Sequence, residues 1–402
     1  MKVEIAFDLA ANGQGSWFTL DDTTKGVLDG TTYLLAGDVL VDVTSDARAV
    51  QVRRGRSRTL DKFTAGNANI TLDNRDRSYD PTNVDSPYYG SIVPRKQVVI
   101  SHNGYPIYTG SSEDWNFGYT LGGDSTAEVS CVDGFTILAS ATRTGGTATA
   151  QATGARVGAV LDEIGWPTAK RTISTGQATL DADVVEPTAN ALAYLQQVEL
   201  SEPGALFIGK SGNLTFRDRA DLQAFTSGVT FGTGGIPFTE IGVVYGTEEM
   251  TNTVNVVYSA GSAVGGTAVV SDSTAVAAYG VMEQTYDTLL GSSADASALG
   301  SWLVGLYSQP QYRVDSIGVN LAGLTSAQVN QVLALELGDN VLVTWTPNAM
   351  GSAISQYASI DSIEHQASPR AHTVTLTMSE STAAFILDDA TWGVLDDDRL
   401  GF

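Results

Sequence analysis

The sequence predicts a mainly β protein with an α/β insertion, two antiparallel β domains flanking a small α/β domain. Three observations carry that prediction. Apolar and polar residues alternate along roughly the first 140 residues, the period turns helical after a Gly/Thr/Ala-rich stretch, and alternation returns toward the C-terminal end. At 402 residues the chain exceeds one ordinary core, since a domain takes about 150 residues. With 43% hydrophobic and 17% charged residues and 42 glycines, it reads as ordered and turn-rich.

In ANITLDN, Ala68, Ile70 and Leu72 alternate with polar partners, and PRKQVVISHNG adds an apolar run that ends in an Asn-Gly turn. Residues 1–141 therefore form a first antiparallel barrel or sandwich, and 142–155, TRTGGTATAQATGA, a linker. Val157, Val160, Leu161 and Ile164 then share a helical face that Gly165 and Pro167 terminate. A second helix starts near Pro187 and buries Ala191, Leu192, Leu195 and Val198, and ALFIGKSGNLTF reads as a hairpin. These elements make 156–238 the α/β domain.

Residues 239–384 read as a second β domain with a helical insertion. Val254, Val256 and Tyr258 share a strand face, and a loop rich in Gly, Ser and Ala follows. Leu299, Trp302, Leu303 and Leu306 lie at helical spacing, and Thr325 with Gln328 forms a capping box. The strands GDNVLVTWT and AHTVTLTMS close the region. Residues 385–402 are a C-terminal arm, because FTLDDTTKGVLD (18–29) returns as FILDDATWGVLD (385–396) with nine of twelve positions identical. Phe18, Leu20, Gly26 and Leu28 in one copy, and Phe385, Leu387, Trp392, Gly393 and Leu395 in the other, are candidate docking residues. The alternative is a pair of surface turns without a partner.

Charge excludes several functions. Twenty-two Lys and Arg against 45 Asp and Glu give a net charge of −23, which repels nucleic acid and argues against sequence-specific binding to it. Arg53, Arg54, Arg56, Arg58 and Lys62 form the one basic cluster, read as a strand end meeting acidic groups of the same or a neighbouring subunit. A single cysteine, Cys131, excludes an intrachain disulfide and a Cys-based zinc site. It shares an apolar strand face with Ala127 and Val129. MKVEIAFDLA lacks a signal-peptide core, and no stretch approaches the roughly 18 apolar residues of a membrane span.

Catalysis lacks its residue patterns. His102, His365 and His372 are the only imidazoles, none in a catalytic motif, and turn or strand-edge roles suit them. No G-x-S-x-G, H-E-x-x-H or Walker A sequence occurs. The acidic pairs Asp21/Asp22 and Asp388/Asp389 and the run Asp396 to Asp398 lack EF-hand spacing and are read as solvated turns or subunit contacts. Tyr88, Tyr89, Tyr105, Tyr108 and Trp115 crowd one region, as in a core or a sugar-stacking surface. No catalytic residue, metal ligand or cofactor is expected.

GNANITLDNRDRSYDP, followed by SPYYGSIVPRKQVVIS and YTGSSEDW, resembles the minor tail proteins of actinobacterial phages, in the baseplate hub family of long-tailed phages. There a strand ends in an L-D-N-R-D-R-x-[FY]-D-P turn, a proline-led strand follows, and a [FY]-T-G strand completes the sheet. Leu72 to Pro81, Pro94 to Ile100 and Tyr108 to Gly110 match these parts, and FILDDATWGVLDDDRLGF is similar to the family's C-terminus. GALFIGKSGNLTFRDR and LELGDNVLVTW match further strands, less specifically. Asp73, Asn74, Arg75, Asp76, Arg77, Asp80 and Pro81 are the candidate structural turn.

The resemblance implies two tube-like β-barrel domains around an α/β domain, assembled as a homotrimer that adapts a six-fold tail tube to a three-fold tip. Its implied partners are the tail tube or distal tail protein, the tape measure protein, and other minor tail proteins or fibres. It implies a non-enzymatic virion protein of the tail tip, made in the host cytoplasm without stable membrane insertion. The competing readings are a hexameric distal tail protein, a receptor- or cell-wall-binding tip protein, and a cell-wall hydrolase acting through paired carboxylates.

Overall fold

The structure, a computed structural model, describes residues 1–7, 39–58, 61–224, 228–260 and 263–380. The first β unit comprises β1 (Lys2–Phe7), β2 (Val39–Asp42), β3 (Ala47–Gly55), β4 (Thr64–Asp73), β5 (Gln97–His102), β6 (Tyr105–Tyr119) and β7 (Ser125–Val132). They pair in the order β3-β4-β7-β6-β5-β1-β2. Strand alternation is the cause: Ala68, Ile70 and Leu72 of β4 and Ala127, Val129 and Cys131 of β7 all face the core. The β5–β6 hairpin turns at Asn103 and Gly104, both at positive φ, which suits an Asn-Gly turn.

The α/β unit contains α1 (Phe135–Ser140), α2 (Thr153–Glu163), β8 (Arg171–Ile173), α3 (Ala191–Leu200), β9 (Ala205–Ile208) and β10 (Leu214–Arg217), with β10 between β8 and β9. Val157, Val160 and Leu161 of α2 are buried, as are Ala191, Leu195 and Val198 of α3. Asn190 caps α3 by accepting from Ala193 N. Residues 142–155 carry two short strands, Gly146–Ala148 and Gln151–Ala152, and the first turn of α2.

The second β unit pairs β12 (Glu240–Gly246), β16 (Gln311–Asn320), β19 (Ala371–Glu380), β18 (Ile354–Ser368), β17 (Asn340–Trp345) and β11 (Thr230–Gly232), in that order. Between β12 and β16 the chain builds a separate layer: β14 (Ala263–Ser271), β13 (Thr253–Ala260) and β15 (Glu283–Asp287) form their own sheet, with α4 (Ser293–Tyr307) against it. A helical insertion is expected from the sequence, with Val254 and Val256 in the barrel; they instead belong to this layer and its own apolar core. The Gly/Ser/Ala-rich stretch expected as a loop is largely the strand β14. Its glycines suit the close passage of Gly265 and Gly266 along Tyr258, because a Cβ on Gly265 would lie 2.8 Å from a ring carbon and one on Gly266 2.7 Å from the hydroxyl oxygen.

The helix α5 (Ser326–Ala334) carries the expected capping box between Thr325 and Gln328. Among the described residues, no helix is long and apolar enough to cross a membrane. One apolar core runs through both β units and the α/β unit.

Candidate functional site

The two β units meet in a single sheet. β18 is 15 residues long and serves both: Ile354–Ser359 pairs with β17, and Ser362–Ala367 pairs with β3 of the first unit, from Ser362 opposite Gly55 to Ala367 opposite Val50. The strand shifts register between Ile360 and Ser362. There Gly55, at φ +119°, lies so close that a Cβ would sit 2.1 Å from the Asp361 carbonyl oxygen. A bulge and a glycine thus let one strand change partners.

The basic cluster locks this seam. Arg56 Nε donates to Asp361 Oδ1 at 2.7 Å, and Arg54 Nη1 to Glu336 Oε1 at 2.8 Å and the Ile208 carbonyl at 3.4 Å. Arg58 pairs with Glu248. Three of the four arginines meet acids of this same chain, and Arg53 stays on the exposed face of β3. The α/β unit is tied in by Lys210, whose Nζ donates to the carbonyls of Leu333, Ala334 and Leu335 at 2.7 to 3.1 Å, where α5 ends. Arg217 adds an ion pair to Asp339 at 2.8 Å.

The solvent face of the seam holds an uncharged groove, beside which Arg53 and Glu364 sit opposite one another. Gln51, Asn69, Thr71, Gln366 and Thr373 line a shallow groove across β4, β3, β18 and β19. Glu364 on that face accepts from Gln51 at 3.2 Å and Gln366 at 2.7 Å.

The turn after β4 is a closed hydrogen-bonding unit. Asp73 accepts from Arg75 N, Asp76 from Ser78 N and Asp80 from Thr82 N, at 3.1, 3.0 and 2.8 Å. Fully buried Asn74 accepts from Tyr79 N at 2.9 Å. Arg75 pairs with Asp73 and Arg77, at φ 60°, with Asp80, while Pro81 is exposed. Hydrogen bonding from Arg75 holds the Asp73 carboxyl below the usual range, and hydrogen bonding from Thr82 does the same for Asp80. The geometry is that of a rigid corner.

Its aromatic residue anchors the core. Tyr79 is fully buried, stacks on Tyr88 and Trp115 at centroid distances of 5.4 and 6.4 Å, and donates to Asp46 Oδ2 at 2.6 Å. Tyr88 in turn stacks on Phe7 at 4.2 Å, and Tyr108 is fully buried. The crowded aromatics are mostly core, with Tyr89 more exposed.

A cavity of about 90 Å³ lies where all units meet, lined by Arg56, Phe63, Glu199, Tyr286, Trp302 and Tyr307 among others. Burial pushes the Glu199 carboxyl up to about 7. The three histidines, separated in sequence, converge at the seam in a line through His372, an assembly with no local sequence signal. No group of three or more metal-ligating side chains that could hold an ion occurs among the described residues. The repeat residues Phe18, Leu20, Gly26, Leu28, Phe385, Leu387, Trp392, Gly393 and Leu395 lie outside the described residues, as do Asp21, Asp22, Asp388, Asp389 and Asp396 to Asp398.

This mainly β architecture is similar in fold to solved phage tail proteins. The 43 kDa tail protein of prophage MuSo2 from Shewanella oneidensis superposes with a TM-score of 0.57 at 14% identity, over 85% of this chain and 96% of that one. A tail protein from Neisseria meningitidis gives 0.57 at 11%, over 86% and 94%. The prophage tail protein gp18 from Listeria monocytogenes gives 0.50 at 11%, over 95% and 96%. No protein-family model and no curated protein matches the sequence.

Proposed function

We infer that this chain is a structural minor tail protein forming the baseplate hub at the tip of a long-tailed phage, where three copies adapt a six-fold tail tube to a three-fold tip and line the DNA exit channel. The observation that carries this reading is the joining of two β units through β3 and β18 into one sheet. A three-fold tip beneath a six-fold ring needs each subunit to offer two similar docking surfaces, and a subunit with two fused β units can offer them. The uncharged groove face around Gln51, Asn69 and Thr373 suits a channel wall, because a wall without a field of unpaired cations does not hold a polyanion. The partners that follow are the tail tube or distal tail protein, the tape measure protein, and further minor tail proteins or fibres.

Native mass measurement with the neighbouring tail proteins present is expected to find three copies, three times 42.2 kDa or about 127 kDa for the ring. Six equivalent copies would favour a hexameric distal tail protein. Under the same proposal the two repeat copies are docking arms that enter equivalent apolar pockets, and Trp392 in place of Lys25 makes the C-terminal arm the one that buries more surface. Removing residues 385–402 is expected to leave the unfolding transition unchanged while lowering incorporation into tails. Undiminished assembly of the truncated chain would rule the arms out.

A further inference from the structure

His102 ends β5 in the first β unit, whereas His365 and His372 lie on β18 and β19 in the second. His102 Nδ1 is 2.8 Å from His372 Nδ1, and His372 Nε2 is 3.1 Å from His365 Nδ1. The His102 and His372 rings lie nearly parallel, 17° apart with centroids at 4.9 Å. His365 and His372 are both buried. Backbone pairing joins the units through β3 and β18, and this imidazole chain adds a side-chain link between the β5–β6 and β18–β19 hairpins. We propose that the three histidines form an acid-sensitive latch, closed while the imidazoles are neutral and released when the chain takes up protons, that couples the two β units.

The proton count explains the switch. Three neutral imidazoles carry three N–H protons, and each of the two N···N contacts needs one. The third sits on an outer nitrogen. One further proton can occupy the other outer nitrogen with both contacts intact, but a second places N–H against N–H and breaks a contact. The surroundings oppose charging throughout. Arg54 of β3 and Lys210 of the α/β unit act on His365, and the amino terminus beside β1 acts on His102 and His372. Each of these groups is cationic, and no carboxylate among the described residues hydrogen-bonds to the trio.

Burial, then the His102 neighbour, lowers His372 to about 4. Burial, then His372 and the two cations, holds His365 well below the ordinary value, and burial lowers His102. With the closed-state values depressed, the open state binds more protons between these values and about 6.5. The latch is therefore fully stable above about pH 6.5 and weakens as pH falls toward about 4. This inference is independent of the hub assignment, since it concerns the isolated chain.

The test is hydrogen exchange of the full chain, corrected for the intrinsic pH dependence of exchange, alongside imidazole ¹⁵N titration. Between about pH 7.5 and about pH 4.5, protection of the β18–β19 hairpin amides is expected to fall at least about tenfold, tracking histidine protonation. His372→Gln is expected to reduce that pH-dependent change to less than about twofold. Retention of the tenfold change in the variant would overturn the latch. Should His372→Gln not fold, the wild-type titration decides alone: protection lost in step with imidazole protonation supports the latch, and protection that persists through it overturns the latch.

Discussion

Tyr79→Ala is expected to lower the unfolding free energy by about 3–5 kcal/mol, measured as a shift of the denaturant midpoint at unchanged slope. Three losses combine. The ring is fully buried and touches two aromatic neighbours, so truncation leaves a cavity beneath Tyr88 and Trp115. The hydroxyl's bond to Asp46 disappears. The corner that Asn74 closes onto Tyr79 N also loses the side chain that pins it to the core. Tyr79→Phe separates these contributions: it keeps the ring and gives up one hydrogen bond, and is expected to cost only about 1 kcal/mol. Similar costs for the two variants would show that the ring does not anchor the unit.

Arg54→Met is expected to cost about 2–4 kcal/mol by the same measurement. Arg54 is 3% exposed and joins three units, through its place on β3, its contact to Ile208 and its pair with Glu336. Removing a buried cation strands its partner, which costs about 3–5 kcal/mol when the partner is fully enclosed. Glu336 keeps 22% of its side-chain surface, so water offsets part of that penalty. It also accepts from Lys210 N at 3.0 Å and Leu337 N at 3.0 Å, which keeps the carboxylate anchored after the arginine is gone. Combining Arg54→Met with Glu336→Gln is expected to cost less than the sum of the two singles, because the carboxylate left without its arginine is then neutral, while a Gln amide can accept from only one of Lys210 N and Leu337 N. A double variant as unstable as the sum of its singles would mean the pair contributes nothing by itself.

Local chemistry was legible where the cause is local. Alternation around Ala68, Ile70 and Leu72, the helical face of Val157, Val160 and Leu161, the Thr325–Gln328 cap and the Asn103-Gly104 turn all depend on residues within a few positions of one another. The hydrogen bonds of Asp73, Asp76 and Asp80 are equally short in range, each side chain accepting from backbone two residues on. The strand β14 was not legible, because its glycines answer to the Tyr258 ring and leave little alternation to detect.

By itself the sequence determined the β, α/β, β succession, the acidic character, and the absence of the residue patterns that common hydrolases need. Only the tertiary structure decided that β18 pairs on one half with β17 and on the other with β3, that Arg54 meets Glu336, and that His102 reaches His372 across 270 positions. The physical reason is range: periodicity, capping and turn chemistry act over a few residues, whereas strand partners and buried charge pairs are selected by the packing of a core that no short segment contains.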